Sequence, residues 1–202
     1  MRGPLLVVIL AGFFVGAVAG ATALILTRGP QGAQVQTTGQ ALIGGPFTLV
    51  DQNGKTVTDR DFRGRYMLIF FGFTHCPDIC PAELQVMAGA LDALGPKANE
   101  IVPIFVTLDP ERDTSEAVGA YVKNFGKNFV GLTGSQAEIA DAAKAYRVTF
   151  SKFEYKDKDG SYGYSIDHSA LVYFMGKDGE YITHFAYGTP VTKMTETMGR
   201  YL

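Results

Sequence analysis

Tyr66-Met67-Leu68-Ile69-Phe70-Phe71-Gly72-Phe73-Thr74-His75-Cys76-Pro77-Asp78-Ile79-Cys80-Pro81-Ala82-Glu83-Leu84 is the stretch on which the reading of this chain turns. It holds both cysteines of the 202-residue sequence, four positions apart. The run from Tyr66 to Phe73 is too continuously apolar for a half-exposed strand, so it reads as a central parallel strand buried on both faces. Beyond the cysteines, Leu84, Met87, Leu91 and Leu94 recur at three- and four-residue spacing, an amphipathic helix ended by Gly95-Pro96. A strand thus delivers two thiols to the start of a helix.

Pro81 narrows where that helix begins. A proline inside a helix loses a hydrogen bond and clashes, at a cost of about 3 kcal/mol, whereas at the first position it costs nothing. The helix is therefore expected to start with Cys80 as cap, Pro81 first, and Glu83 as an acidic residue favoured by the positive helix end. Cys76 then lies in the preceding turn, and both sulphurs converge where backbone N–H groups stabilise thiolate. Ordinary buried cysteines do not need prolines after both thiols. A disulfide between them is geometrically allowed, but closing so short a loop restrains little of the unfolded chain.

Outward from this stretch, Phe47 to Val50, the Asn53-Gly54 turn and Thr56 to Thr58 read as a hairpin, and Asp59 to Gly64 as a short turn of helix. Ile101 to Leu108 is a second buried strand, running into Asp109-Pro110-Glu111-Arg112-Asp113. Thr114 or Ser115 caps a helix with Val118, Tyr121 and Val122 inward; Phe129 to Leu132 is a short strand; Ser135 with Glu138 forms a capping box for a helix to Tyr146. Val148 to Lys156 and Ser161 to Ser165 flank a charged hairpin tip, Lys156-Asp157-Lys158-Asp159-Gly160. His168 to Met175 reads as a strand that turns antiparallel at Gly176-Lys177-Asp178-Gly179 into Glu180 to Ala186, and Thr192 to Tyr201 closes as a helix. Alternating strands and helices followed by an antiparallel hairpin and a last helix make an α/β thioredoxin-like fold with an N-terminal hairpin and an inserted hairpin.

From Pro4 to Leu26 there is no charged side chain. At about 1.5 Å per residue a helix over this run crosses a hydrocarbon core of roughly 30 Å. Arg2 precedes it, and after Arg28 no Lys or Arg follows until Lys55, a bias that leaves the N-terminus in the cytoplasm and the domain outside. Ala17-Val18-Ala19 also fits a signal-peptidase site, but the apolar run continues past it. The expected organisation is a single transmembrane anchor over 1–28, a Gly-, Gln- and Thr-rich linker over 29–45 and one domain over 46–202. The expected location is the inner (cytoplasmic) membrane of a bacterium, the domain facing the periplasm. A net charge of −2 and a pI near 5.9 argue against a nucleic-acid partner.

Three blocks then carry a resemblance. Cys76-Pro77-Asp78-Ile79-Cys80-Pro81 resembles the Cys-Pro-x-x-Cys-Pro signature of the SCO/SenC copper chaperones. Asp109-Pro110-Glu111-Arg112-Asp113 is similar to that family's Asp-Pro-x-Arg-Asp block, and Asp167-His168-Ser169 to its metal-histidine motif. With the anchor, the resemblance covers essentially the whole chain. It implies a membrane-tethered thioredoxin-like domain that binds copper, Cu(I) or Cu(II), through Cys76, Cys80 and His168 and assists assembly of the dinuclear copper centre of cytochrome c oxidase. Its partners would be the copper-bearing oxidase subunit, a copper donor chaperone, a thiol reductant and the membrane. The donor chemistry agrees: thiolates suit Cu(I), imidazole also suits Cu(II), and a structural zinc site would want four ligands.

Other candidates weigh less. His75 adjoins Cys76, but neighbouring side chains point apart. His184 reads as packing or edge exposure. Asp78 is a solvated turn residue or an oxygen donor, Asp109, Arg112 and Asp113 form an internal ion pair shaping their loop, and Asp167 would orient His168. Two further functions compete. A thiol-disulfide oxidoreductase needs the redox-active pair Cys76 and Cys80 but not His168, although three intervening residues differ from the thioredoxin two. A peroxidase would use Cys80-Pro81-Ala82-Glu83, but Pro77 stands where that site expects threonine.

Overall fold

The structure is a computed structural model and describes residues 43–156 and 160–202. The expected anchor over 1–28 and most of the linker lie outside the described residues, as do residues 157–159 of the expected hairpin tip. Among the described residues no helix is long and apolar enough to cross a membrane.

Nine strands and four α-helices follow one another along the domain: β1 (Thr48–Asp51), β2 (Thr56–Thr58), β3 (Tyr66–Gly72), α1 (Ile79–Leu94), β4 (Ile101–Thr107), α2 (Ser115–Val122), β5 (Val130–Thr133), α3 (Gln136–Ala145), β6 (Phe150–Lys156), β7 (Tyr162–His168), β8 (Leu171–Met175), β9 (Tyr181–Ala186) and α4 (Val191–Gly199). Seven strands make one sheet in the order β2-β1-β5-β4-β3-β8-β9, and β6-β7 form a separate two-stranded ribbon. β3 pairs parallel with β4, which pairs parallel with β5, while β3 pairs antiparallel with β8. This is the thioredoxin arrangement with two added hairpins.

Local chemistry explains the elements. The β1–β2 hairpin turns where Asp51 Oδ1 accepts the N–H groups of Asn53 at 2.8 Å and Lys55 at 2.9 Å, with Gly54 at a φ of 77°. Thr114 Oγ1 accepts the Ala117 N–H at the start of α2, and Ser135 and Glu138 complete the capping box of α3. β3 and β4 are apolar and buried because both faces of the central sheet are covered. α1 packs against α4, while α2 and α3 lie over β1 and β5.

The topology sets the site. Gly72 stands opposite Thr107 in the parallel register, so the segments after β3 and β4 leave the same edge of the sheet side by side. The N–H of Leu108 donates to the Gly72 carbonyl at 2.7 Å and ties them together. β8 runs the other way, with Val172 opposite Phe70, so its beginning reaches that edge too.

Several boundaries differ from the sequence reading by a few residues, and two of them bear on the site. α1 starts at Ile79 with Asp78 at its cap position, which makes Pro81 the third helical residue rather than the first. Any of the first few helical N–H groups lacks an internal partner, so proline is tolerated there equally well and cannot mark the start uniquely. Glu83 consequently misses the exposed first turn and is buried, 1 % exposed. Its Oε1 accepts the Gly188 N–H at 3.4 Å, its Oε2 has no hydrogen-bond partner, and burial pushes its carboxyl above the ordinary value. His168 ends β7 instead of beginning β8, because it pairs with Phe150 in the ribbon and Ser169-Ala170 separate it from the central sheet.

Candidate metal centre

Cys76 sits in a turn closed by its own N–H donating to the Phe73 carbonyl at 3.2 Å. The N–H of Cys80 donates to Cys76 Sγ at 3.4 Å, so the Cys76 sulphur occupies the place a side-chain oxygen takes at many helix starts. That reverses the expected roles: Cys80 is the second residue of the helix and Cys76 supplies the cap. Cys80 is fully buried over Gly72, where a side-chain Cβ would come within 2.8 Å of its sulphur. Glycine at the end of β3 makes room for the thiol. Both cysteines are free thiols.

His168 meets them from the far end of the chain. Its Nε2 lies 3.5 Å from Cys80 Sγ, and its Nδ1 lies 3.1 Å from the Ser169 carbonyl oxygen. A carbonyl only accepts, so Nδ1 carries the proton and Nε2 presents its lone pair to the sulphurs. The rings of Phe70 and Phe73 stand edge-on to the imidazole at 5.9 and 6.0 Å and fix its plane. With metal–sulphur bonds of about 2.3 Å and metal–nitrogen bonds of about 2.0 Å, two such ligands on one ion lie roughly 3.5 Å apart. The Cys80–His168 contact already has that spacing.

The two thiols are unequal. A hydrogen bond from Cys80 holds the Cys76 thiol well below its ordinary value against the opposing effect of partial burial, with the backbone N–H groups of Cys80 and Asp78 assisting. The same bond and deeper burial push the Cys80 thiol up. The arrangement is one thiolate, half-exposed, beside one buried thiol. Among the described residues no three His, Cys, Asp or Glu side chains form a ready-made metal cage. A cleft of about 240 Å³ opens beside Cys76, lined among others by Ile79, Phe153 and His168.

The Asp109–Asp113 turn supports the cysteine loop. Asp113 is fully buried; its Oδ2 accepts the Thr74 N–H at 2.9 Å and the Thr107 hydroxyl at 2.5 Å, and its Oδ1 accepts the Thr74 hydroxyl at 2.5 Å. The ion pair expected in this block is there, between Arg112 and Asp109. Asp113 stands outside it, a grip on the loop before Cys76.

The remaining candidates separate. His75 is half-exposed, with Nδ1 3.1 Å from Thr74 Oγ1 and 3.6 Å from Asp113 Oδ1. His184 is exposed on β9 against the Tyr181 hydroxyl, and Asp78 is exposed at the helix cap. Asp167 is exposed too and does not orient His168; the Ser169 carbonyl does. Sequence reasoning missed Ser169, Gly72 and Tyr164. For Tyr164 the alternation of β7 carried a signal, since it falls four positions before His168 on the same face.

A thioredoxin-like domain carrying a Cys-x-x-x-Cys loop, one thiolate and an apposed imidazole is the class that fold and site define. Comparison with known proteins narrows it. Residues 35–202 match the family described as SCO1/SenC. The human mitochondrial SCO1 homolog is 44% identical over 149 residues, which span 73% of this chain and 48% of that protein. The crystal structure of Arabidopsis thaliana ScoI with copper bound is similar at 40% identity and a TM-score of 0.73, covering 78% of this chain and 96% of that one. The structure of Bradyrhizobium japonicum ScoI with copper bound is 42% identical, with a TM-score of 0.71, over 79% and 99%. This chain belongs to the SCO1/SenC family. It spans about half the length of the curated mitochondrial relatives it matches, 48%, 51% and 46% for the human, mouse and Arabidopsis proteins.

Proposed function

We propose that the chain is a copper metallochaperone, tethered to the bacterial inner membrane by residues 1–28, whose domain takes up copper through Cys76, Cys80 and His168. Its cargo goes to the dinuclear copper centre of cytochrome c oxidase, on that oxidase's copper-bearing subunit, after receipt from a donor chaperone. The observation that carries the reading is the imidazole Nε2 lone pair held 3.5 Å from Cys80 Sγ. Two sulphurs and one imidazole suit Cu(I), and the nitrogen also suits Cu(II). Copper uptake displaces the Cys80 thiol proton. The copper held by the Arabidopsis and Bradyrhizobium relatives supports the cargo, and the resemblance of the three sequence motifs to those of the SCO/SenC copper chaperones supports the oxidase as destination. The uncharged Pro4 to Leu26 run supports the tether.

A second reading rests on the unequal thiols. Half-exposed Cys76 is the thiolate and buried Cys80 the thiol, the pairing of an attacking and a resolving cysteine. Cys76 thiolate would attack a disulfide on the oxidase subunit, Cys80 would then displace it, and two partner thiols would leave as the Cys76–Cys80 disulfide formed. A reductant would restore the pair. Insulin reduction beside copper titration separates the readings. A chaperone takes one copper per chain and reduces insulin far more slowly than thioredoxin; thioredoxin-like turnover without copper retention overturns the assignment.

A further inference from the structure

The ribbon that carries His168 is not hydrogen-bonded into the central sheet. A lone two-stranded ribbon is marginally stable in water, so what pins it decides where the imidazole sits. The pin is Tyr164. On β7 it shares a face with Ile166 and His168, and its ring lies between two cations, Arg112 Cζ at 3.7 Å and Lys152 Nζ at 3.7 Å from its centroid. Its hydroxyl donates to Asp109 Oδ1 at 2.9 Å, while Arg112 pairs with the other carboxylate oxygen and donates from Nη1 to the Tyr164 carbonyl at 3.3 Å. Arg112 Nη2 is buried and has no hydrogen-bond partner among the described residues. The guanidinium gives up a hydrogen bond to lie on the ring, so the stack is a principal part of its hold.

The turn that holds this ring through Asp109 and Arg112 also holds Thr74, before Cys76, through Asp113. One five-residue segment therefore touches both the cysteine loop and the histidine ribbon. We propose that Arg112 and Tyr164 are positioning residues for the metal centre: clamped on the Asp109–Asp113 turn, they fix the β6–β7 ribbon so that His168 faces Cys80. Neither touches the metal; each acts through His168. The inference rests on the proposed copper reading and adds a function to a block whose residues lie outside the donor set.

The test is competition for Cu(I) between the full chain, thiols reduced, and a chromophoric Cu(I) chelator. Arg112→Gln and Tyr164→Leu are each expected to weaken retention by about tenfold, the range a desolvated cation–ring contact supports. Arg112→Lys, which keeps a cation over the ring, restores part of the loss. In a His168→Ala background, Arg112→Gln is expected to change retention by less than about twofold, because its effect runs through the missing imidazole. If Tyr164→Leu does not fold, Tyr164→Phe keeps the stacked ring, loses only the Asp109 bond and falls between wild type and Arg112→Gln. Full retention in Arg112→Gln, or an equal loss in both backgrounds, overturns the clamp while leaving the donor set standing. His168→Ala retaining copper like wild type overturns the donor set and the clamp together.

Discussion

Replacing Asp113 by alanine should release the cysteine loop from the sheet. The carboxylate accepts from the Thr74 N–H, the Thr74 hydroxyl and the Thr107 hydroxyl, and it is wholly buried. A hydrogen bond to a charged group contributes about 1.5–3 kcal/mol, and a buried group left unpaired costs about 1–3 kcal/mol. Thr107 is 0% exposed and cannot find water, whereas Thr74 is partly exposed and can. The three contacts therefore do not add in full, and the expected loss for Asp113→Ala is about 3–4 kcal/mol. Asp113→Asn keeps the shape and one acceptor oxygen, and the Thr74 hydroxyl can reverse its role, so its loss should be about 1 kcal/mol. Urea unfolding of the reduced chain, followed by circular dichroism and extrapolated linearly, reads both differences. A loss below about 1 kcal/mol for alanine, or equal losses for the two variants, would refute the view that this carboxylate anchors the loop.

At pH 6.5, iodoacetamide should modify Cys76 well ahead of Cys80, because the Cys76 thiol lies well below its ordinary value and Cys80 above it. The Cys76 contribution to stability is accordingly complete above the unfolded thiol pKa and is lost as pH falls through the lowered folded value, while the Cys80 contribution is present below the unfolded value and lost at higher pH; equal labelling by mass spectrometry contradicts the pairing. Gly72→Ala would put a Cβ 2.8 Å from Cys80 Sγ and 3.0 Å from Phe70, and should cost about 1–3 kcal/mol in the same urea titration; wild-type stability contradicts the packing assigned to that glycine. His75→Ala removes an exposed ring that touches Thr74 and Asp113, so copper retention should stay within about twofold of wild type, and a loss as large as that of His168→Ala would make His75 a ligand.

Much of this was written in local pattern. The continuous apolar runs gave β3 and β4, the Asn-Gly turn gave the first hairpin, and Ser135 with Glu138 marked the start of α3 to the residue. The three candidate donors stood out through short motifs around Cys76, Cys80 and His168. What escaped was either degenerate or distant. Pro81 is tolerated at several positions of a helix start, so it placed the start of α1 two residues late relative to the structure's Ile79 and handed the cap to the wrong cysteine. The apolar run into Met175 made His168 look like the start of β8, although the break falls at Ser169-Ala170. Asp113 and Thr74 are 39 positions apart, and Tyr164 and Asp109 are 55 apart. The first pair meets because the parallel strands β3 and β4 bring two loops to one sheet edge, the second because the β6–β7 ribbon folds back over that edge.

X-ray absorption of the copper-loaded chain, wild type beside His168→Ala, tests the donor set most directly. Wild type should show two sulphur neighbours and one nitrogen at bonding distance, and the variant should keep the sulphurs and lose the nitrogen. A nitrogen neighbour retained in the variant, or a wild-type site with no sulphur, would contradict the assignment of copper to Cys76, Cys80 and His168.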